Sequence, residues 1–422
     1  MNYHKKILKN GMRIITVPMA DNPAVTVLVM VEAGSKYETA EISGLSHFLE
    51  HMCFKGTRTR PKAINISREL DSIGAQYNAF TSQEFTGYYA KAGPRHLNTI
   101  LDVVSDMYVN PLFDEKEIEK EKGVIVEEIN MYEDTPHKHV QDLFMELLYG
   151  DQPAGWNIAG RKETVKAMKR EFFEDYRRKH YVSGATTVVI AGKFNEETIY
   201  DDIEKKFIGI HEGKKHDKTK VIEKQKEPRI KVQHKKTDQA HLVIGVRSCD
   251  IWSASVPILR VLSAVLGGGM SSRLFQKLRD EMGVGYYVNA GNDIYTDHGY
   301  FEISTGVDKE RVTEVIKAIL NECQKLTEDE VPPDELKKAK DYIIGTMFLG
   351  LETSDAVAEF FGYQEILKRS VITPSELAKI INMVSAEEIK DMAQQIFQNK
   401  NLNMALVGGF KNNKEFEPIF HF

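Results

Sequence analysis

The feature that most constrains this chain is that it repeats itself once. The stretch SRELDSIGAQYNAFTSQEFTGYYAKAGPRHLNTILDVVSDM (residues 67–107) resembles FQKLRDEMGVGYYVNAGNDIYTDHGYFEISTGVDKERVTEVIKAILNE (residues 275–322). Both read as helix, glycine turn, strand, turn, strand, then amphipathic helix. ATTVVIAGKF at 185–194 likewise matches NLNMALVGGF at 401–410, and the pairs Gly87/Gly299 and Phe194/Phe410 are 212 and 216 residues apart. A unit this long is no solenoid repeat; it implies two similar domains. The 422 residues agree, being too many for one ordinary core.

The repeat places a first domain at 1–212, a linker at 213–230 and a second domain at 231–422. The linker lies within IHEGKKHDKTKVIEKQKEPRIKVQH, which is lysine-rich, poor in apolar residues and without clear period, so it reads as a solvated connection. In the first half, strand patterns fall near 12–18, 24–33, 76–81, 85–91 and 185–191. Helical patterns fall near 43–54, 63–73, 95–108, 114–149 and 163–180. Tight turns join several strands, so the expectation is an α+β fold with a mainly antiparallel sheet in each domain and helices packed on one face.

Composition narrows the function. Sixty-two acidic against 56 basic residues leave a net charge of −6, which argues against nucleic acid as the main partner. Three widely spaced cysteines, with no CxxC, support neither a disulfide framework nor a thiolate zinc knuckle. The N-terminal residues have no signal-like apolar run, and VTVLVMV at 25–31 is too short to span a bilayer, so it reads as a buried strand. A cytoplasmic protein without membrane attachment is the expectation.

The chemistry concentrates in GLSHFLEHMCFKG, residues 44–56. Leu45, Phe48, Leu49 and Met52 recur at helical spacing, and Gly56 is a natural stop. On that helix His47 and His51 project from one face a turn apart, where two imidazoles can share one zinc. Glu50 lies on the same flank, within reach of a metal-bound water whose proton it could take. A catalytic zinc needs a third protein ligand. The best source is EKEIEKEKGVIVEEINMYEDTP at 115–136, read as one helix. On a wheel of roughly 100° per residue, Ile118, Val124, Ile125, Ile129, Met131 and Tyr132 form one apolar arc. Glu121 and Glu128 fall inside it, and Glu127 falls nearly opposite. An inward carboxylate needs a partner, which a metal and its surroundings would supply. Taken alone, two helical histidines are more often structural than metal-binding; the inward acids from a separate segment are what favour the metal. His137 and His139 point to different helix faces, and Cys53 lies well round the helix from His51, so none of them reads as a ligand.

HFLEHMCFKGT, with 76 residues between His51 and Glu128, resembles the pitrilysin (M16) family of zinc metallopeptidases, whose HxxEH order inverts the HExxH of thermolysin. The likeness covers nearly the whole chain, duplication included, and its length is similar to the processing-peptidase-like subfamily. The resemblance implies two homologous domains forming half of a clam-shell, one Zn2+ per chain, peptide substrates and a homodimer. It implies His47, His51 and Glu128 as zinc ligands, Glu50 as catalytic base and Glu121 as a supporting acid. It matches Asn78, Ala79 and Phe80 to an edge strand that pairs with substrate, and Arg279 and Tyr286 to a substrate-reaching pair in which Tyr286 stabilises the oxyanion. Outside the resemblance, an Arg on a helix and a Tyr after Gly285 are ordinarily surface and packing residues. VPILRVLSAVLGGG replaces the HxxEH helix in the second half, so no metal motif is expected there. Two alternatives stay open: a non-catalytic assembly subunit, and an active subunit that requires a sister chain.

Overall fold

A computed structural model describes residues 1–422. The first sheet has six strands: β1 His4–Ile7, β2 Arg13–Pro18, β3 Val25–Val31, β4 Gln76–Thr81, β5 Thr86–Ala92 and β6 Thr186–Gly192, in the order β1-β2-β6-β3-β5-β4. The second has five: β7 Arg229–His234, β8 Gln239–Ser248, β9 Gly285–Ile294, β10 Gly299–Asp308 and β11 Leu402–Gly408, in the order β7-β11-β8-β10-β9. Without β1 the two orders are the same. So are the senses: β2–β6 and β7–β11 are parallel, and the other pairs antiparallel. The duplication read from sequence is thus a duplication of topology, and the fold is α+β.

Each sheet has a main helical layer. In the first unit this is α1 (Leu45–Cys53), α2 (Leu97–Val109) and, from the other carboxyl-terminal segments of that half, the later helix Arg170–His180. Helix α3 (Glu115–Asp134) follows α2 and is followed by α4 (Pro136–Tyr149); Arg170–His180 is α5. In the second unit the layer is α6 (Val256–Gly267), α7 (Val312–Glu328) and α10 (Ala386–Ile396). In chain order, α8 (Pro333–Gly350) and α9 (Ser354–Lys368) come between α7 and α10, but α9 belongs to the first unit. The single helix expected over 114–149 is broken at Thr135, because the residue before Pro136 is driven out of helical geometry.

The opposite face of each sheet is covered too, by one helix drawn from the other half of the chain. Val357, Ala358 and Phe361 of α9 pack on Ile15, Val17, Leu28, Met30 and Val189 of the first sheet. Val140, Leu143 and Phe144 of α4 pack on Val243, Ala405 and Val407 of the second. The compact units are therefore 1–129 with 156–219 and 349–373, and 130–155 with 220–348 and 374–422. They share most residues with the contiguous domains expected from sequence, but exchange a helix each. Cover on both faces explains the unbroken VTVLVMV run: Val25, Val27, Val29 and Val31 face the main layer, and Leu28 and Met30 face α9. Gly362 permits the close approach of α9, since a Cβ there would lie 2.7 Å from the Met30 sulfur. Glu365 of the same helix is fully buried, with Lys5 at 2.7 Å and Arg13 at 3.2 Å.

The lysine-rich linker is mostly exposed, as expected, but it is pinned at a few points. Lys215 pairs with Glu32 at 2.9 Å and Lys218 with Glu84 at 3.1 Å, both of these acids being buried. Further on, the Val221 and Ile222 amides donate to Asp297 and Gln152. Buried carboxylates require such partners, which composition could not reveal. No helix is long and apolar enough to cross a membrane.

Candidate metal centre

The site is built on α1. Gly44 begins the helix with φ +95°, and the space a Cβ would need is taken by the Ala159 carbonyl, 2.5 Å away. The free N–H groups of Gly44 and Ser46 donate to the two oxygens of buried Glu38, at 2.7 and 2.6 Å. An acidic side chain thus caps the helix terminus. Burial pushes Glu38 up to about 8, while the Ser46 and Gly44 donors pull it down. Phe48, on the core side, meets Phe173 of α5 edge-on with ring centroids 4.9 Å apart. The remaining face carries His47, Glu50 and His51.

Helix α3 supplies the acids. Glu121 is 4% exposed, beside buried Ile118 and Ile125. Glu128 is half-buried, and Glu127 is exposed as the helical wheel requires. Val124 and Met131, placed on the apolar arc from sequence, are exposed instead: they sit at its margins, and only Ile118, Ile125 and Ile129 reach the core.

His47, His51 and Glu128 offer ligand atoms that all lie within 4.8 Å of one another. The two Nε2 atoms stand 3.7 and 3.6 Å from the same Glu128 oxygen, Oε2. These distances are too long for hydrogen bonds. They suit co-ligands: donors about 2.0–2.1 Å from a tetrahedral zinc lie roughly 3.3 Å apart. Behind them Glu121 accepts from His51 Nδ1 at 2.9 Å and pairs with Lys55 Nζ at 2.6 Å. That contact sets the ring orientation and leaves Nε2 facing the other donors. His47 has no equivalent support, since its Nδ1 is buried without a partner. The residues therefore fit one divalent ion, with two imidazoles and one carboxylate leaving a coordination position open.

Electrostatics agree with that donor set. Burial holds His47 down at about 3, with the charge of His51 adding, so its imidazole is neutral and ready to ligate. Burial would also lower His51, but the hydrogen bond to Glu121 and the charges of Glu50, Glu121 and Glu128 raise it above its ordinary value. Burial would raise Glu121, but the hydrogen bonds from His51 and Lys55 hold it below the usual carboxylate range. Glu50 is raised by burial, opposed by a hydrogen bond from Thr81 and by His51.

Asn78, Ala79 and Phe80 lie on β4, the outer strand of the first sheet. The Ala79 amide donates to the Asn78 side-chain oxygen at 2.9 Å. Ala79 packs toward the α1 layer, whereas Phe80 turns to the other face, against Phe85 and Tyr363 of α9. Arg279 and Tyr286 belong to the second unit. Arg279 lies in a π-helical turn (Gln276–Glu281), its guanidinium over the Phe275 ring, and donates to the Tyr286 carbonyl at 3.2 Å. Tyr286 is 60% exposed at the start of β9. Of the residues set aside, His139 hydrogen-bonds Gln233, and Cys53 is buried with its sulfur 3.6 Å from the Tyr88 hydroxyl. Sequence reasoning missed Glu38, Thr81 and Lys55. Only Lys55, one turn beyond His51, left a trace in helical spacing.

Comparison with known proteins places these features in a family. The insulinase (peptidase family M16) profile matches residues 13–162, and the peptidase M16 inactive domain matches residues 167–343. The chain is 37% identical to an uncharacterized zinc protease, YmxG, of Bacillus subtilis, over 92% of this chain and 94% of that protein. It is 31% identical to an uncharacterized zinc protease of Rickettsia felis, over 94% and 96% of the two chains. Its fold is that of a protease from Helicobacter pylori, with a TM-score of 0.90 at 21% identity over 96% of this chain and 99% of that one. It is also that of a peptidase M16 inactive domain from Pseudomonas fluorescens, with a TM-score of 0.89 at 14% identity over 97% and 99%. With both profiles matched in chain order and relatives aligned along almost the full length, the chain belongs to peptidase family M16.

Proposed function

We propose that the protein is a zinc-dependent endopeptidase acting on unfolded peptides or short polypeptides. The observation that carries the reading is the meeting of His47, His51 and one Glu128 oxygen, with the Glu50 carboxylate on the same helix face. Zinc, when bound, supplies a Lewis acid and lowers the pKa of a bound water to about 7. Glu50 takes the proton of the attacking water and delivers it to the leaving amine. Glu121 keeps the His51 ring in place through Nδ1. The outer edge of β4 offers backbone groups for an extended peptide to pair with, so selectivity along the substrate is loose. In this reading Arg279 holds substrate and Tyr286 donates to the oxyanion. One chain type carries every part, so a homodimer of identical, active chains, each with one zinc, is the assembly we infer.

The test is digestion of a peptide library by the purified chain, with and without chelator, read by mass spectrometry. Hydrolysis that stops on chelation and returns with zinc is expected. A chain without zinc and without chelator-sensitive hydrolysis would instead be an assembly subunit. A zinc-loaded chain that stays silent until another chain is added would be an active subunit requiring a sister.

A further inference from the structure

We infer that Thr81 is a positioning residue for Glu50, joining the base to the strand on which substrate lies; this rests on the peptidase reading above. The Thr81 hydroxyl donates to Glu50 Oε2 at 2.6 Å, from β4 to α1. That length is usual for O–H···O⁻ bonds, which are about 2.5–2.7 Å and stronger than neutral ones. The hydrogen bond from Thr81 is the only side-chain hydrogen bond acting on Glu50, so Oε1 is left to meet a water. A glutamate side chain has several rotatable bonds, and holding its far end still costs rotamer freedom. A single donor on one oxygen restricts both the carboxylate's place and the direction of the other oxygen.

The placement follows from strand geometry. Side chains alternate across a strand, so Tyr77, Ala79 and Thr81 share one face of β4, and Phe80 takes the other. Tyr77 lies alongside Phe54 just past α1, and Ala79 packs against the α1 layer, which puts Thr81 next to Glu50. Thr81 is itself fixed by the ladder, directly opposite Thr86 of β5. A peptide paired along the free edge of β4 takes its register from the strand that aims the base. The scissile carbonyl and the proton acceptor are then positioned by a single element, and a small misplacement there is expensive in rate.

Thr81→Val keeps shape and β propensity but removes the donor; Thr81→Ser keeps the donor. Both zinc-loaded variants would be compared with wild type on a quenched fluorescent peptide, with zinc content measured alongside. Thr81→Val is expected to keep its zinc and hold KM within about twofold while kcat falls about tenfold, a step of the size set by one hydrogen bond to a charged group. Thr81→Ser is expected within about threefold of wild type. A Val variant with wild-type kcat, one whose change lies in KM alone, or one that loses zinc would each overturn the inference. Crystals of metal-free Thr81→Val give a readout independent of turnover: the Glu50 carboxylate should leave its wild-type place or occupy several. An unmoved carboxylate overturns the inference. If wild type itself cleaves nothing, the peptidase reading falls, while these crystals still decide the role of Thr81.

Discussion

Helix α1 of the first unit and helix α6 of the second pack beside the edge strands, β4 and β9, of two sheets with matching order, but their side chains differ. The first carries His47, Glu50 and His51. The second, VPILRVLSAVLG, has no histidine, cysteine or acid. Both strands reach across to their helix: Thr81 donates to Glu50, and Asn292 donates to Ser263 and to the Leu259 carbonyl. The second unit thus has a strand-to-helix polar contact of the same kind around a hydroxyl that only donates back to its own helix. The pair teaches that the scaffold supplies the positions and a few side chains supply the chemistry.

The largest effect that could break this contrast is on hydrolysis. Glu50→Gln should lower kcat by about 10³-fold while zinc stays bound, whereas Ser263→Ala should leave turnover within about twofold. Equal losses in steady-state assays would erase the asymmetry. Next, Tyr286→Phe should cost about 10²-fold in kcat with metal content unchanged, because the second unit is taken to serve the substrate and not the ion. Zinc loss in that variant would contradict the division of labour. Glu121→Gln should weaken zinc binding by about 10–100-fold in a competition titration with a chelating dye, while exposed Glu127→Gln should not.

The last effect is on stability. His180 of the first unit is held at about 3 by burial, with the charges of Lys179 and His216 adding, against an ordinary 6.5. Between those values the unfolded chain binds the extra proton, so its contribution is present above pH 6.5 and is lost as pH falls toward 3. Metal-free protein should lose about 1 kcal/mol per pH unit from this group across that window. Melts of His180→Leu beside wild type should show the shallower acid slope in the variant.

Much of the site was legible because it obeys local periodicity. HxxEH spacing sets two imidazoles and an acid on one helix face, and the seven-residue spacing of Glu121 and Glu128 sets both toward the interior of α3. The duplicated strands were legible for the same reason. What was hidden depends on contacts between distant segments. Periodicity says that α4 and α9 have an apolar face, but not which sheet it covers, so the exchanged helices left no local mark. Thr81 resembles any strand threonine until Glu50, 31 residues earlier, is placed beside it. Lys215 and Lys218 look solvated until the buried acids Glu32 and Glu84 appear opposite them.

The central claim is that one ion joins α1 to α3, and anomalous scattering from crystals of the zinc-loaded chain, recorded on both sides of the zinc edge, tests it most directly. A single peak per chain is expected, about 2.0–2.2 Å from His47 Nε2, His51 Nε2 and a Glu128 oxygen. A peak elsewhere, or none at fully loaded stoichiometry between these three side chains, would contradict it.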